Sequence, residues 1–205
     1  AGHRQNLMLP ADILSRSDPS DLMAQTLTRS WIPQRLGAPV ASATGIMEGL
    51  AAFYADRIRA RAGLLPHGAM VSTLAMADTR RDPGSRGVIL ALKWDEDIRR
   101  KSAGKLDLDD VIMRMADHYR QFPSGQGPDA ITGLVSAAWV TSRIDLRADI
   151  GRYADGPAAI PLPETMFDGC LDARVTVSPG FDPGFDAAGS FAVKTVRGVR
   201  RGGPA

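Results

Sequence analysis

Thr44-Gly45-Ile46-Met47-Glu48-Gly49-Leu50-Ala51-Ala52-Phe53-Tyr54-Ala55-Asp56, running on through Arg57-Ile58-Arg59-Ala60-Arg61-Ala62 to Gly63, is the stretch that decides how this chain folds. It predicts a helix from Gly45 to Ala62, because Thr44 offers a capping hydroxyl and Gly63 can close the last turn in the left-handed region. Glu48 shares a face with Ala51, Ala52 and Ala55, one and two turns on. A stripe of alanines lets another helix come close, so a carboxylate on it is expected to be partly buried and to need a cation or donors. A metal ion is one such cation, and an arginine side chain is another.

Working outward, the same helical punctuation repeats. Ser17-Asp18-Pro19-Ser20-Asp21 starts a helix with Asp18 as N-cap and Pro19 at the first position, and Gly37 and Pro39 end it near Leu36. Residues 38–43 form a loop. Pro66 to Thr79 predicts a third helix, and Arg80 to Arg86, containing Asp82-Pro83-Gly84-Ser85, a turn. A fourth helix carries Gly87, Leu90, Ala91, Trp94 and Ile98 at helical spacing and closes at Gly104. Asp107 to Asp110 caps a fifth, with Leu108, Val111, Ile112, Met115 and Tyr119 as its buried stripe. After the linker Pro123 to Pro128, Asp129 starts a sixth with Ile131, Leu134, Val135 and Ala138 inward, and Asp145 caps a short seventh ending near Gly156.

Beyond it the pattern changes. Pro157 to Pro163 is extended, Arg174 to Val177 and Phe191 to Val199 alternate, and Arg4 to Leu9 is expected to form a short strand at the start. The expected class is mainly α (α+β), with short β segments at both ends. The expected division is a helical lobe over 1–156, an extension with short β segments over 157–192, and the start of a further module over 193–205.

With 205 residues, 44% of them hydrophobic and 23% charged, the chain has ordinary globular composition. Arg197, Arg200 and Arg201 cluster in a Gly-rich tail without interleaved aromatics, so nucleic acid is not an expected partner. Cys170 is the single cysteine, which excludes an internal disulfide and a cysteine-rich metal site without fixing a compartment. No run of about 18 apolar residues predicts a membrane span, and Ala1 to Pro10 lacks signal-peptide order. The lone strand at the start and the unfinished module at the end suggest a piece of a longer protein.

Other chemistry has little footing. His3, His67 and His118 have no metal-ligand spacing, and Met113 and Met115 read as core. Ser30, Ser42, Ser85 and Ser136 lack a Gly-x-Ser-x-Gly elbow, and Cys170 has no neighbouring histidine. Neither a phosphate loop nor a dinucleotide fingerprint occurs.

Ile46 to Asp56, followed by Arg61-Ala62-Gly63-Leu64, resembles the segment of glycyl-aminopeptidase-like gluzincin peptidases that supplies the third, glutamate ligand of zinc. Gly87 to Leu92 with Asp95, then Ile98 to Lys105 and Leu108 to Val111, is similar to the two helices that follow in that family. Gly198-Val199-Arg200 with Gly202 to Ala205 resembles the opening of a PDZ-like module. The resemblance implies the helical C-terminal lobe of a thermolysin-like metallopeptidase domain.

In such peptidases the preceding helix carries His-Glu-x-x-His, two imidazoles one turn apart with a general-base glutamate between them. Trp31, matching a tryptophan often found two residues after the second histidine, sets a register in which the motif is replaced by Gln25-Thr26-Leu27-Thr28-Arg29. Eighteen residues then separate Arg29 from Glu48, the gluzincin interval. Gln25 and Arg29 stand for both imidazoles and Thr26 for the base; a protonated arginine cannot ligate zinc, and threonine cannot take a proton from water at neutral pH. Gly84 falls where related enzymes place a tyrosine that stabilises the tetrahedral intermediate.

The resemblance therefore implies a degenerate peptidase-like domain, a pseudoenzyme with a peptide-binding or scaffold role. No zinc or other cofactor is expected in this chain, although zinc serves the active relatives. Glu48 is the surviving ligand position. Arg29 is expected to pair with Glu48, with Gln25 or Thr26 adding a hydrogen bond, so that the old zinc site becomes a structural polar cluster. Two alternatives stand beside it: an active zinc aminopeptidase with ligands supplied elsewhere and Glu48 as one of them, and an unrelated helical interaction module.

Overall fold

A computed structural model describes residues 18–35, 44–66, 69, 72, 82–122, 127–154, 158–166 and 171–172. These form helices α1 (Pro19–Arg35), α2 (Thr44–Arg61), α3 (Pro83–Lys101), α4 (Leu108–Tyr119), α5 (Ala130–Ser142) and α6 (Arg147–Tyr153). Strands β1 (Thr165–Met166) and β2 (Leu171–Asp172) pair in a two-stranded sheet. The described residues are mainly helical, as expected. The chain divides into two compact units, 1–171 and 172–205. Several expectations lie outside the described residues: the strand Arg4 to Leu9, most of the third helix and of the linker 123–128, the alternating stretches Arg174 to Val177 and Phe191 to Val199, and His3, His67 and Cys170.

α3 is the centre of the first unit. Every residue from Arg86 to Leu92 is buried, and Trp94, Asp95, Glu96 and Ile98 follow. A helix buried around its whole circumference is one that others surround. Its start corrects the sequence reading, because Pro83-Gly84-Ser85-Arg86 is not a turn before the helix but its first turn. Asp82 is extended and accepts from the Ser85 N–H at 3.0 Å, while Pro83 takes the first helical position, where a missing N–H costs nothing.

α2 runs parallel to α3 and in register with it. Gly45 faces Pro83, Gly49 faces Gly87, and Arg57 faces Asp95 38 residues away, the same separation in each case. The close approach expected of the alanine stripe is made by glycines instead. A Cβ on Gly49 would lie 2.3 Å from the Gly87 carbonyl carbon, and one on Gly87 would lie 2.4 Å from the Gly45 carbonyl oxygen. Ala51 and Ala55 are buried beside this crossing, with Phe53, Met47 and Leu50 filling the space around it. α2 ends where predicted, with Gly63 at φ 69° and the Leu64 N–H reaching back to the Arg59 carbonyl at 2.8 Å.

α1 lies antiparallel to α2. Arg59, near the end of α2, reaches Asp18 at 2.7 Å and Asp21 at 3.1 Å at the start of α1, while Ala24, Thr28 and Ile32 form the buried stripe.

The fifth predicted helix is α4, with a complete capping box between Asp107 and Asp110 and with Leu108, Val111, Ile112 and Met115 buried. Tyr119 is half-buried at the end of that stripe. Its hydroxyl lies 2.7 Å from the Pro128 carbonyl oxygen, and a Cβ on Gly133 would meet that hydroxyl at 2.4 Å. This contact turns α5 from the expected face: Ala130, Gly133, Leu134, Ala137 and Ala138 go inward, and Ile131 and Val135 are only half-buried. Arg86 then ties the end of α6 and the chain after it to the core, donating to the Tyr153 and Ala158 carbonyls at 2.6 Å each.

Candidate functional site

The five positions that the resemblance singles out fall on α1, α2 and the first turn of α3. On α1, Gln25 is half-buried and donates its amide to both oxygens of Asp21, at 3.0 and 3.1 Å. Thr26 is half-buried and donates to the Leu22 carbonyl at 2.7 Å. Both side chains are thus engaged within their own helix. Arg29 is exposed, as is Trp31, which set the register.

Glu48 is exposed, not partly buried as expected, although Ala51 and Ala55 of the same stripe are buried. No hydrogen bond or ion pair joins Glu48 to Arg29, Gln25 or Thr26, so the expected polar cluster is not formed. Solvent removes the need for it, since an exposed carboxylate keeps its hydration and an exposed ion pair contributes little. Glu48 instead sits beside the start of α3, its Oε2 3.8 Å from where a Cβ on Gly84 would stand, with Asp82 Oδ1 3.4 Å from the same point. The positive end of the α3 dipole favours a carboxylate there. Of the five positions, then, Glu48 and Gly84 are brought together.

The densest buried polar group was not read from the sequence. Asp95, with no exposed surface, accepts from Arg57 at 2.8 Å, Arg99 at 2.9 Å and the Leu108 N–H at 3.0 Å. Asp107 accepts from Arg57 at 2.9 Å and Arg99 at 2.6 Å, and Asp109 from Arg61 at 3.0 Å. Burial pushes the Asp95 carboxyl up, but Arg57, Arg99 and the Leu108 N–H outweigh it and hold the carboxyl below its ordinary range. Burial likewise opposes the Arg57 charge, and Asp95, Asp109 and Asp107 overcome it. Tyr54 is pushed up chiefly by burial and further by the neighbouring Asp109 carboxylate.

This group joins α2, α3 and the cap of α4, and every charged member has an opposite partner, so its chemistry is that of a clamp. The signal in the sequence was the i, i+4 pairing of Arg57 with Arg61 and of Asp95 with Arg99, which becomes meaningful only once α2 and α3 are known to run parallel.

His118 is exposed on α4 and packs edge-on against Phe122, with ring centroids 4.9 Å apart. Among the described residues, no group of three or more His, Cys, Asp or Glu side chains is placed to hold a metal ion, and no helix is long and apolar enough to cross a membrane. No family model matches this chain, and no curated protein is significantly similar to it.

Proposed function

We propose that this chain is a catalytically degenerate gluzincin-like aminopeptidase domain that binds a peptide or partner protein, or serves as a scaffold, and does not hydrolyse peptide bonds. The observation that carries this reading is the neighbourhood of Glu48. The helix bearing positions 25, 26 and 29 lies antiparallel to the helix bearing Glu48, and Glu48 opens to solvent beside Gly84, where the resemblance puts the remaining catalytic side chain. At the positions that the resemblance assigns to the two imidazoles and the general base, Gln25, Thr26 and Arg29 offer neither an imidazole nor a carboxylate.

A second reading, an unrelated helical interaction module, draws support from the unpaired Arg29 and Glu48 and from the exposed apolar row Met23, Leu27 and Trp31 along α1. Metal analysis of the purified chain, with an assay of amino-terminal residue release in added zinc, tests the proposal. The expected result is neither stoichiometric zinc nor hydrolysis. Stoichiometric zinc that disappears in Glu48→Gln would overturn it in favour of an active enzyme with other ligands.

A further inference from the structure

Ala130–Ser142 contains no charged side chain, yet one side of α5 faces water, with Thr132, Ser136, Trp139 and Val140 all exposed. Trp139 retains 49% and Val140 46% of their accessible surface. A surface helix ordinarily carries charges on its solvent side, and exposed tryptophan is enriched where proteins meet one another.

At its C-terminal end this neutral face meets two cations. Arg143 holds a left-handed backbone, φ 58° and ψ 30°, a conformation costly for a residue with a side chain. Its guanidinium lies 5.9 Å from the centre of the Trp139 ring. Lys101, the last residue of α3, donates its Nζ to the Arg143 carbonyl, which keeps both cations at the same place. Both side chains are exposed, and neither forms an ion pair with a described carboxylate. The nearest acid along the chain, Asp145, is taken by Arg147 at 2.9 Å. Arg57, Arg59, Lys93, Arg99 and Arg100, by contrast, each have an aspartate.

We propose that the outer face of α5, with Lys101 and Arg143 at its end, docks a partner protein segment that sets an apolar side chain against Trp139 and Val140 and carboxylates against the two cations. Apolar burial on Trp139 supplies affinity, and the cations select an acidic segment and make its capture sensitive to salt. An anionic membrane suits this face less well, because a helix lying in a membrane surface carries lysine and arginine along its polar side, where α5 has Thr132 and Ser136. Lys101 ends α3 while Gly84, beside Glu48, lies in its first turn about 25 Å away along the helix, so this surface stands whether or not the degenerate-peptidase reading does.

The test uses the full 205-residue chain and two dye-labelled synthetic peptides with the same leucine and phenylalanine positions, one with glutamate and the other with lysine between them. Anisotropy should show saturable binding of the glutamate peptide, weakened at least about tenfold in Trp139→Ala and in Lys101→Glu/Arg143→Glu. The accompanying shift in tryptophan emission should vanish in Trp139→Phe. Circular dichroism confirms that each variant is folded; Lys101→Glu/Arg143→Glu, confined to exposed side chains, keeps the test open if Trp139→Ala unfolds. Equal binding of the two peptides, binding of neither, or affinity unchanged by these variants overturns the proposal. So does a preference for phosphatidylserine vesicles over the glutamate peptide, or self-association through Trp139.

Discussion

Adding one methyl group to Gly49 should separate the two central helices. The new Cβ would stand 2.3 Å from the Gly87 carbonyl carbon, 2.4 Å from its Cα and 2.5 Å from the Val88 nitrogen. Carbon atoms in contact sit about 3.5–4.0 Å apart, so the helices must move by about 1 Å, and the obstruction is backbone that has no rotamer to change. Overpacking of this kind costs about 3 kcal/mol at the upper end of its usual range, and the better helix propensity of alanine returns about 1 kcal/mol. The expected net loss for Gly49→Ala is about 2 kcal/mol, or about 4–8 °C in melting temperature for a chain of this size.

Gly84→Ala is the matched control. Its Cβ would meet nothing closer than Asp82 Oδ1 at 3.4 Å, so the same substitution should stabilise α3 by about 0.5–1 kcal/mol. Urea unfolding followed by far-ultraviolet circular dichroism measures both. If Gly49→Ala stabilised the protein as Gly84→Ala does, the parallel α2–α3 crossing at Gly45, Gly49 and Gly87 would be refuted.

Asp95→Ala should cost about 3 kcal/mol, because it leaves the buried Arg57 and the half-buried Arg99 facing a missing carboxylate; equilibrium unfolding checks the loss. The folded-state lowering of the Asp95 carboxyl means that its contribution is present above the ordinary aspartate value and is lost as pH falls through the folded one. Asp95→Asn should therefore flatten the acid limb of a stability-against-pH curve below about pH 4. Asp56 acts in the opposite sense. Burial raises its carboxyl, so it opposes folding at neutral pH, and Asp56→Asn should lose less stability at pH 7 than at pH 3. Asp129→Ala removes the oxygen that accepts from the Ile131 and Thr132 N–H groups at 3.0 Å each, and should cost about 1 kcal/mol.

The helices were legible because their ends are written locally. Asp18, Asp107 and Asp129 at the starts, and Gly63 and Gly104 at the stops, act within a turn of where they stand. Where a local signal had two meanings, the sequence reading went astray: Asp82-Pro83-Gly84 suits a turn and a helix start equally, and only burial of the following residues on α2 selects the helix. Helix faces were harder still. The alanines of α2 promised a close approach, but the tighter one belongs to Gly45 and Gly49, whose significance depends on a glycine 38 residues beyond Gly49. Glu48 was expected to be partly buried along with the alanines of its stripe, but Ala51 and Ala55 are buried and Glu48, at the edge of that stripe near the helix start, is exposed. The Arg57–Asp95 clamp is likewise a product of two parallel helices, invisible to any window that spans only one of them.

The proposed degenerate peptidase would have positions 25, 26, 29 and 48 in the places of a lost zinc site, and restoring the lost groups tests that proposal most directly. The variant Gln25→His/Thr26→Glu/Arg29→His replaces three solvent-accessible side chains, and zinc per folded chain is then measured after gel filtration. The account predicts one equivalent of zinc, bound in the triple variant and lost when Glu48→Gln is added. A folded triple variant that takes up no zinc, or that keeps its zinc without Glu48, would contradict it.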